Sequence, residues 1–137
     1  MICRDAFLKV RFDETFHLGY EDTLFGMQLE QAGVEILHID NPVYHLVEEN
    51  SEQFLMKIRR AVRNLDGHIE QMHSHVKLLR WYACVKRLGM APLVAFLFRQ
   101  IEKSLVSKLT SRKPSLKLFA FYKLGYLCNF LSQKKPD

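Results

Sequence analysis

The chain has 137 residues, of which 48% are hydrophobic and 26% are charged. This composition is typical of an ordinary folded protein and excludes an intrinsically disordered one. The length is enough for one domain or for part of a larger protein. Three widely spaced cysteines, Cys3, Cys84 and Cys128, form no Cys-x-x-Cys pair. We therefore expect reduced thiols in a cytoplasmic setting rather than a disulfide framework.

The net charge of +5 conceals two regions of opposite sign. Residues 1–52 contain eleven acidic and three basic side chains, whereas residues 53–137 contain four acidic and seventeen basic ones. This division indicates two roles, and the basic region is suited to phosphates or to an anionic surface. The longest apolar run, Ala91 to Phe98, has eight residues and falls short of the roughly 20 that a membrane-spanning helix needs.

The acidic region is predicted to mix helices and strands. Residues 4–10 favour a brief helix, and a second helix follows from Glu21 and ends at Gly33. Two runs rich in β-branched side chains, Val34–Ile39 and Val43–Val47, predict short strands on either side of an Asn-Pro turn. This succession predicts an α/β fold for the first part of the chain.

The basic region is predicted to be helical throughout. Asn50 and Gln53 have the spacing of a capping box, and apolar residues recur beyond them on one helical face. A second helical run ends at Gly89, and Pro92 suits the first turn of the helix that follows. A final apolar helix is predicted over residues 116–131.

Two adjacent carboxylates, Glu21 and Asp22, stand at the start of the second predicted helix. In one interpretation they stabilise the helix start, where backbone N–H groups and the helix dipole favour negative charge. In the other, Gly19 permits close approach of an acceptor, Tyr20 provides a stacking surface, and a carboxylate held in a fixed direction accepts a hydroxyl proton. The local sequence leaves both interpretations open.

The histidines provide one candidate ligand. His45 follows a turn at the end of a predicted strand, where its side chain can reach a cleft, although a structural role is commoner for such a residue. His68, His73 and His75 are not predicted to bind a metal. Only His68 and His75 share a helical face, and they lie two turns apart, which is too far for one ion.

Several well-known motifs are absent from the sequence. It contains no Gly-x-Gly-x-x-Gly, no Walker loop, no nucleophile elbow and no Asp-x-Asp. The lysines and arginines of residues 57–87 lack the spacing of a nucleic-acid-binding motif, so we expect no nucleic-acid partner. They are interpreted first as solvated helix faces and second as a surface for anionic membranes.

An ordered series of short phrases runs through residues 1–65. The phrases are M-x-x-R-x-x-F from Met1, FDETF from Phe12, GYED from Gly19, LEQAG from Leu29 and NPVYH from Asn41. The series resembles the acceptor-side half of family 2 glycosyltransferases, in which a phrase of the type GG-FDE-F-GYEDTDL-RL-AG…H recurs. The later phrases NSEQFLMKIRRAVRNL and FAFYKLGYL are similar to the helical tail of bacterial members that build surface polysaccharides.

The resemblance implies a partial, Rossmann-like GT-A domain in residues 1–50 and a mainly α-helical extension in residues 51–137. It implies transfer of a sugar, with inversion, from a nucleotide-diphospho-sugar to a hydroxyl of a glycan or lipid-linked acceptor. Asp22 falls on the catalytic base of the family, and Glu21 on the acid that helps to hold the acceptor.

Metal and donor binding are implied for a preceding half of the enzyme. In the family an Asp-x-Asp motif holds Mg²⁺ or Mn²⁺ there, and His45 is the position of this sequence that matches a downstream metal ligand. We therefore expect a fragment that by itself binds neither metal nor nucleotide sugar. We also expect exposed strand edges that promote self-association, and a cytoplasmic location with peripheral contact at the inner face of the membrane.

A second hypothesis comes from the charge pattern alone. Residues 53–137 fit a non-catalytic basic helical module that binds an anionic membrane surface or an acidic partner.

Overall fold

The computed structural model describes residues 3–14, 19–37, 39–44 and 49–134. Within these ranges it contains seven α-helices and one 3₁₀ turn, Asp66–His68, but no strand. The helices are α1 (Arg4–Lys9), α2 (Glu21–Gln31), α3 (Ser51–Asn64), α4 (Ile69–Met72), α5 (Lys77–Arg87), α6 (Ala91–Leu109) and α7 (Leu116–Gln133).

The prediction of an α/β fold with a Rossmann-like GT-A domain is therefore wrong for the described chain, which is all-helical. Residues 34–37 and 39–44, which cover most of the two predicted strands, are irregular, and the rest of those strands lies outside the described residues. Their apolar side chains face solvent, with Leu37 79% and Val43 81% exposed. A strand needs a neighbour to pair its backbone N–H and C=O groups, and the described residues supply none.

The helix α7 lies at the centre of the structure. It packs along α6 and also contacts α3 and α5. Phe98, Tyr122 and Leu127 are completely buried in the resulting core. Because α7 has neighbours on three sides, it buries apolar side chains around most of its circumference rather than on one stripe.

The contact between α6 and α7 depends on Gly125. A Cβ atom at this position would lie 2.5 Å from Cδ2 of Phe98, so the glycine lets the Phe98 ring pack directly on the α7 backbone. The same ring meets Tyr122 edge-on, with 5.6 Å between ring centroids. Aromatic pairs in this geometry stabilise a core beyond the area that they bury.

The predicted helix ends at Asn50, Gly33 and Gly89 are confirmed. The backbone N–H of Gln53 donates to Oδ1 of Asn50 at 2.8 Å, and the N–H of Asn50 donates to Oε1 of Gln53 at 3.2 Å. The two glycines follow α2 and α5 with φ angles of +67° and +69°, the left-handed conformation that ends many helices.

The predicted helical run from Ile69 to Gly89 is interrupted. It is divided into α4 and α5 by residues 73–76. The Nδ1 atom of His73 donates to the carbonyl oxygen of Glu70 at 2.9 Å, and such side-chain bonds to a nearby carbonyl compete with the helical backbone bonds.

Candidate functional site at the start of α2

Gly19 and Tyr20 form a left-handed turn directly before α2. Their φ angles are +74° and +69°, a conformation that favours glycine and is unusual for tyrosine. A Cβ atom on Gly19 would lie 2.5 Å from Cβ of Ala61, so the glycine lets the turn pack directly on α3. The Tyr20 side chain packs against the hydrophobic core, and this burial raises the pKa of its hydroxyl. The turn is thus anchored on α3 and fixes the direction in which α2 begins.

Asp22 lies in the first turn of α2 and is exposed to solvent. Its Oδ1 atom accepts a hydrogen bond from the backbone N–H of Thr23 at 2.7 Å and a longer one, at 3.4 Å, from the Thr23 hydroxyl. The side chain of Tyr20 does not cap the helix, so Asp22 satisfies one of the free N–H groups that every helix start leaves. Asp22 therefore stabilises the helix start and also remains accessible to a ligand.

Glu21 differs from its neighbour in burial. Its Oε2 atom is shielded from solvent and has no hydrogen-bond partner among the described residues. Burying an acceptor without a donor costs about 1–3 kcal/mol, and more when the group is charged. Buried polar atoms of this kind are rare in folded proteins and call for a specific explanation.

The predicted metal ligand, His45, lies outside the described residues. Within the described ranges, no group of three or more His, Cys, Asp or Glu side chains is placed to hold a metal ion. His68 instead faces Asp13, with 3.9 Å between Nε2 and Oδ2. This contact joins the FDETF phrase to the 3₁₀ turn after α3, and sequence reasoning did not anticipate it.

An open depression of about 420 Å³ lies beside the second half of α2, away from the two carboxylates. It is lined by Lys9, Val10, Arg11, Gln28, Gln31 and Ala32. Lys9 and Arg11 are two of the three basic residues in the first 52 positions. Their rarity in this acidic region was the only property of the sequence that could have pointed to the depression. The pairing of the segment before the FDETF phrase with α2 could not be read from the sequence, because it joins positions about twenty residues apart.

More enclosed grooves occur elsewhere in the described chain, and their lining includes neither Glu21 nor Asp22. One of about 330 Å³ lies between the start of α3 and the start of α7, with Phe54 and Phe119 in its wall. Another of about 280 Å³ lies between α5 and α7 and is lined in part by Trp81. Both are mainly apolar, so neither suits proton transfer.

Comparison of the chain with protein families, with characterised proteins and with solved structures gives no match. A proposal about function therefore depends on the side chains of the site and on the sequence phrases that surround them.

Proposed function

We propose that this chain supplies the acceptor-binding, proton-accepting part of an inverting glycosyltransferase. Asp22 removes the proton from an acceptor hydroxyl while that oxygen bonds to the anomeric carbon of a nucleotide-activated sugar, whose bond to the diphosphate breaks. The observation that carries the proposal is the anchored GYED turn, which presents an exposed Asp22 beside Glu21, whose shielded Oε2 atom has no partner among the residues that the structure describes. The resemblance of the surrounding phrases to family 2 glycosyltransferases gives the reaction.

The geometry of the turn suits a general base. A base must be held within hydrogen-bond reach of the proton that it accepts, and its direction must not vary. The left-handed pair Gly19–Tyr20 rests on α3 through Ala61, and the hydrogen bond from Thr23 fixes one oxygen of Asp22. An exposed carboxylate held in this way can meet an acceptor that arrives from solvent.

The second carboxylate suits acceptor binding. If the Glu21 side chain turns outward, a sugar hydroxyl can donate to Oε2 and supply the partner that this shielded atom lacks among the described residues. Glu21 is therefore assigned to holding the acceptor, and its effect should fall on acceptor affinity rather than on the rate of transfer.

The donor and its metal are assigned to residues outside this chain. The sequence has no Asp-x-Asp motif, which is the motif that holds the metal and the diphosphate in the family that the phrases resemble. The chemistry assigned to this chain is therefore the binding of the acceptor and the removal of its proton.

The proposal is tested by adding the purified chain back to membranes from cells that lack its gene, together with labelled nucleotide sugars. Wild-type protein should restore incorporation of label into glycan. Asp22→Asn should restore at least about 100-fold less, because an amide cannot accept the proton. Glu21→Gln should require more acceptor for the same rate.

The matched control is Glu30→Gln, which removes an exposed carboxylate from the other end of α2 and should restore incorporation fully. A variant is included in the comparison only if its melting temperature equals that of the wild-type chain, so that unfolding does not explain a loss of incorporation. Full restoration by Asp22→Asn would reduce Asp22 to a helix-start residue. Failure of the wild-type chain to restore any incorporation would contradict the glycosyltransferase function itself.

A further inference from the structure

The bend between α5 and α6 carries a group of exposed apolar side chains. The two helix axes turn by 115° between Arg87 and Ala91. We call residues 86–97 the elbow. Its large apolar side chains that face solvent are between 44% and 65% exposed, and they are Leu88, Met90, Leu93, Phe96 and Leu97.

The helix α6 is apolar on two faces. The buried face consists of Ala95, Phe98, Leu105 and Leu109. The other face carries Leu93, Leu97 and Ile101 at successive turns, and all three are exposed. A helix on the surface of a protein normally turns polar side chains to solvent, so an exposed apolar face next to the elbow indicates a contact outside this chain.

The charged side chains between Glu70 and Glu102, the segment that contains the elbow, are all positive. Lys86 and Arg87 are exposed in the last turn of α5. No Asp or Glu occurs between Glu70 and Glu102, whereas this segment holds five Lys and Arg residues. Glu102 itself is already bound, with its Oε1 atom 2.9 Å from Nη2 of Arg59. The segment that forms the elbow therefore carries no negative side chain of its own to offset its cations.

The backbone holds the elbow in this shape. Gly89 has a φ of +69°, and the N–H of Met90 donates to the carbonyl oxygen of Val85 at 3.0 Å. A second bond of the same length joins the N–H of Gly89 to the carbonyl of Lys86, which completes a Schellman motif. A Cβ built on Gly89 would meet nothing within 4 Å, so the tip of the elbow is open to solvent.

We propose that the elbow inserts into the headgroup region of an anionic lipid bilayer. Leu88, Met90 and Leu93 enter the boundary between headgroups and acyl chains, and Lys86 and Arg87 contact the lipid phosphates. This inference is independent of the glycosyltransferase proposal, and it narrows the membrane hypothesis for the basic region to one site.

Two observations favour a bilayer surface as the occupant. No described helix alone is long and apolar enough to span a membrane, and α5 and α6 reach that length and composition only as a bent pair. A bent pair of this kind can lie in the interface with its corner immersed. A second copy of the chain would bring an identical set of cations to the same face and be repelled, whereas anionic lipids are attracted to it.

The test measures sedimentation of the full chain with vesicles of phosphatidylcholine, with and without roughly 30% of the anionic lipid phosphatidylglycerol. We expect binding only to the anionic vesicles, weakening as salt is raised. Trp81, the single tryptophan, lies two turns before the tip on α5 and is exposed. Its fluorescence should shift to the blue on binding and be quenched by lipids brominated near the headgroup.

Two double variants remove the proposed contacts without touching buried groups. Lys86→Gln with Arg87→Gln should weaken binding about 30-fold, since each cation near an anionic surface contributes about fivefold. Leu88→Gln with Leu93→Gln should weaken it about tenfold or more through the loss of inserted apolar area.

Matched controls lie at the other end of α6, which has 19 residues and is about 28 Å long. They are Arg112→Gln with Lys113→Gln, and Leu116→Gln. All three side chains are exposed and lie beyond the range of unscreened charge, so wild-type affinity is expected.

Three results would overturn the proposal. They are equal binding to uncharged vesicles, loss of binding in the control variants rather than in the elbow variants, and absence of vesicle binding. Light scattering tests for a second copy of the chain as the occupant. A dimer that dissociates in the elbow variants but not in the control variants would show that the elbow binds another copy instead of a bilayer.

Discussion

Arg59 and Glu102 connect α3 to α6 through an ion pair, in which Nη2 of the arginine lies 2.9 Å from Oε1 of the glutamate. The Nε atom of Arg59 also donates to the hydroxyl of Tyr122 on α7. One helical turn further on, Nε of Arg63 donates to the hydroxyl of Tyr126 at 2.6 Å. Two arginines on α3 thus meet two tyrosines on α7, so these arginines are not the fully solvated side chains that the sequence predicted.

The tyrosine bond should matter more for stability than the ion pair. Both charged side chains of the pair are about one-third exposed, so Glu102→Gln should lower the free energy of unfolding by less than about 1 kcal/mol. Tyr122 is completely buried, and Tyr122→Phe should cost about 1–2 kcal/mol because Arg59 loses an acceptor. Urea denaturation measures both. Tyr44→Phe, at a fully exposed residue, is the control that should change nothing, and a larger loss from Glu102→Gln would contradict this ranking.

Two glycine-to-alanine variants should have opposite effects. In Gly125→Ala the new Cβ would lie 3.0 Å or less from three atoms of Phe98. The resulting overpacking, about 1–3 kcal/mol, exceeds the gain in helix propensity, and the variant should be less stable. Gly26 lies inside α2 with nothing within 4 Å of an added Cβ, so Gly26→Ala should gain about 0.5–1 kcal/mol. Thermal melting checks both signs, and stabilisation by Gly125→Ala would show that the Phe98 ring can move aside.

Local features of this fold were predictable from the sequence. The capping box of Asn50 and Gln53 and the helix end at Gly89 depend on residues within one turn of each other, so the sequence contains the whole interaction. The two predicted strands are wrong where the structure describes them, at residues 34–37, 39 and 43–44. A β-branched composition favours a strand, but a strand also needs a partner to pair with. The described residues contain no such partner.

The candidate site likewise has local features that the sequence predicts and tertiary contacts that it does not. The position of Asp22 at a helix start follows from local sequence, and the structure has it there. The packing of Gly19 against Ala61 joins residues far apart in the chain, and the burial of one Glu21 oxygen is likewise a product of tertiary packing. Arg59 and Glu102 are 43 positions apart. Periodicity describes which face of a helix is apolar, but it does not say which helix that face meets.

The three cysteines should react at two different rates. Cys3 and Cys84 are exposed and Cys128 is buried, where burial raises the pKa of its thiol to about 11. Because the thiolate is the reactive form, a chromogenic disulfide reagent at pH 8 should modify two thiols quickly and the third only after unfolding. Cys84→Ser should remove one fast equivalent, and fast reaction of all three thiols would contradict the burial of Cys128.

The raised pKa of the Cys128 thiol predicts that the folded state loses stability at alkaline pH. The folded state holds the Cys128 proton more tightly than the unfolded state, whose thiol has a pKa of about 9. The buried thiol therefore contributes about 2–3 kcal/mol to stability. This contribution is complete below pH 9 and is lost as the pH rises towards 11. Urea denaturation between pH 8 and 11 should show the decline, and Cys128→Ala should make it shallower. Burial also raises the pKa of Tyr122, which acts in the same direction, so some decline should remain in that variant.

The last prediction concerns the turn that presents Asp22. Gly19→Ala should cost about 2–4 kcal/mol of stability for two separable reasons. A residue with a side chain is strained at a φ of +74° by about 1–2 kcal/mol, and its Cβ would lie 2.5 Å from Cβ of Ala61. Both atoms are attached directly to the backbone, so neither can rotate away.

A double-mutant cycle separates the two reasons. Ala61→Gly alone should cost about 1 kcal/mol, because glycine is a poor helix residue. Combined with Gly19→Ala, it removes the clashing Cβ and leaves only Cα of Ala61, 3.3 Å away, so the double variant should be about 1–2 kcal/mol more stable than the sum of the single losses predicts. The backbone strain at Gly19 remains, and with it part of the loss. Additive losses would show that the turn does not rest on α3, and the direction of Asp22 would then have no anchor in the structure.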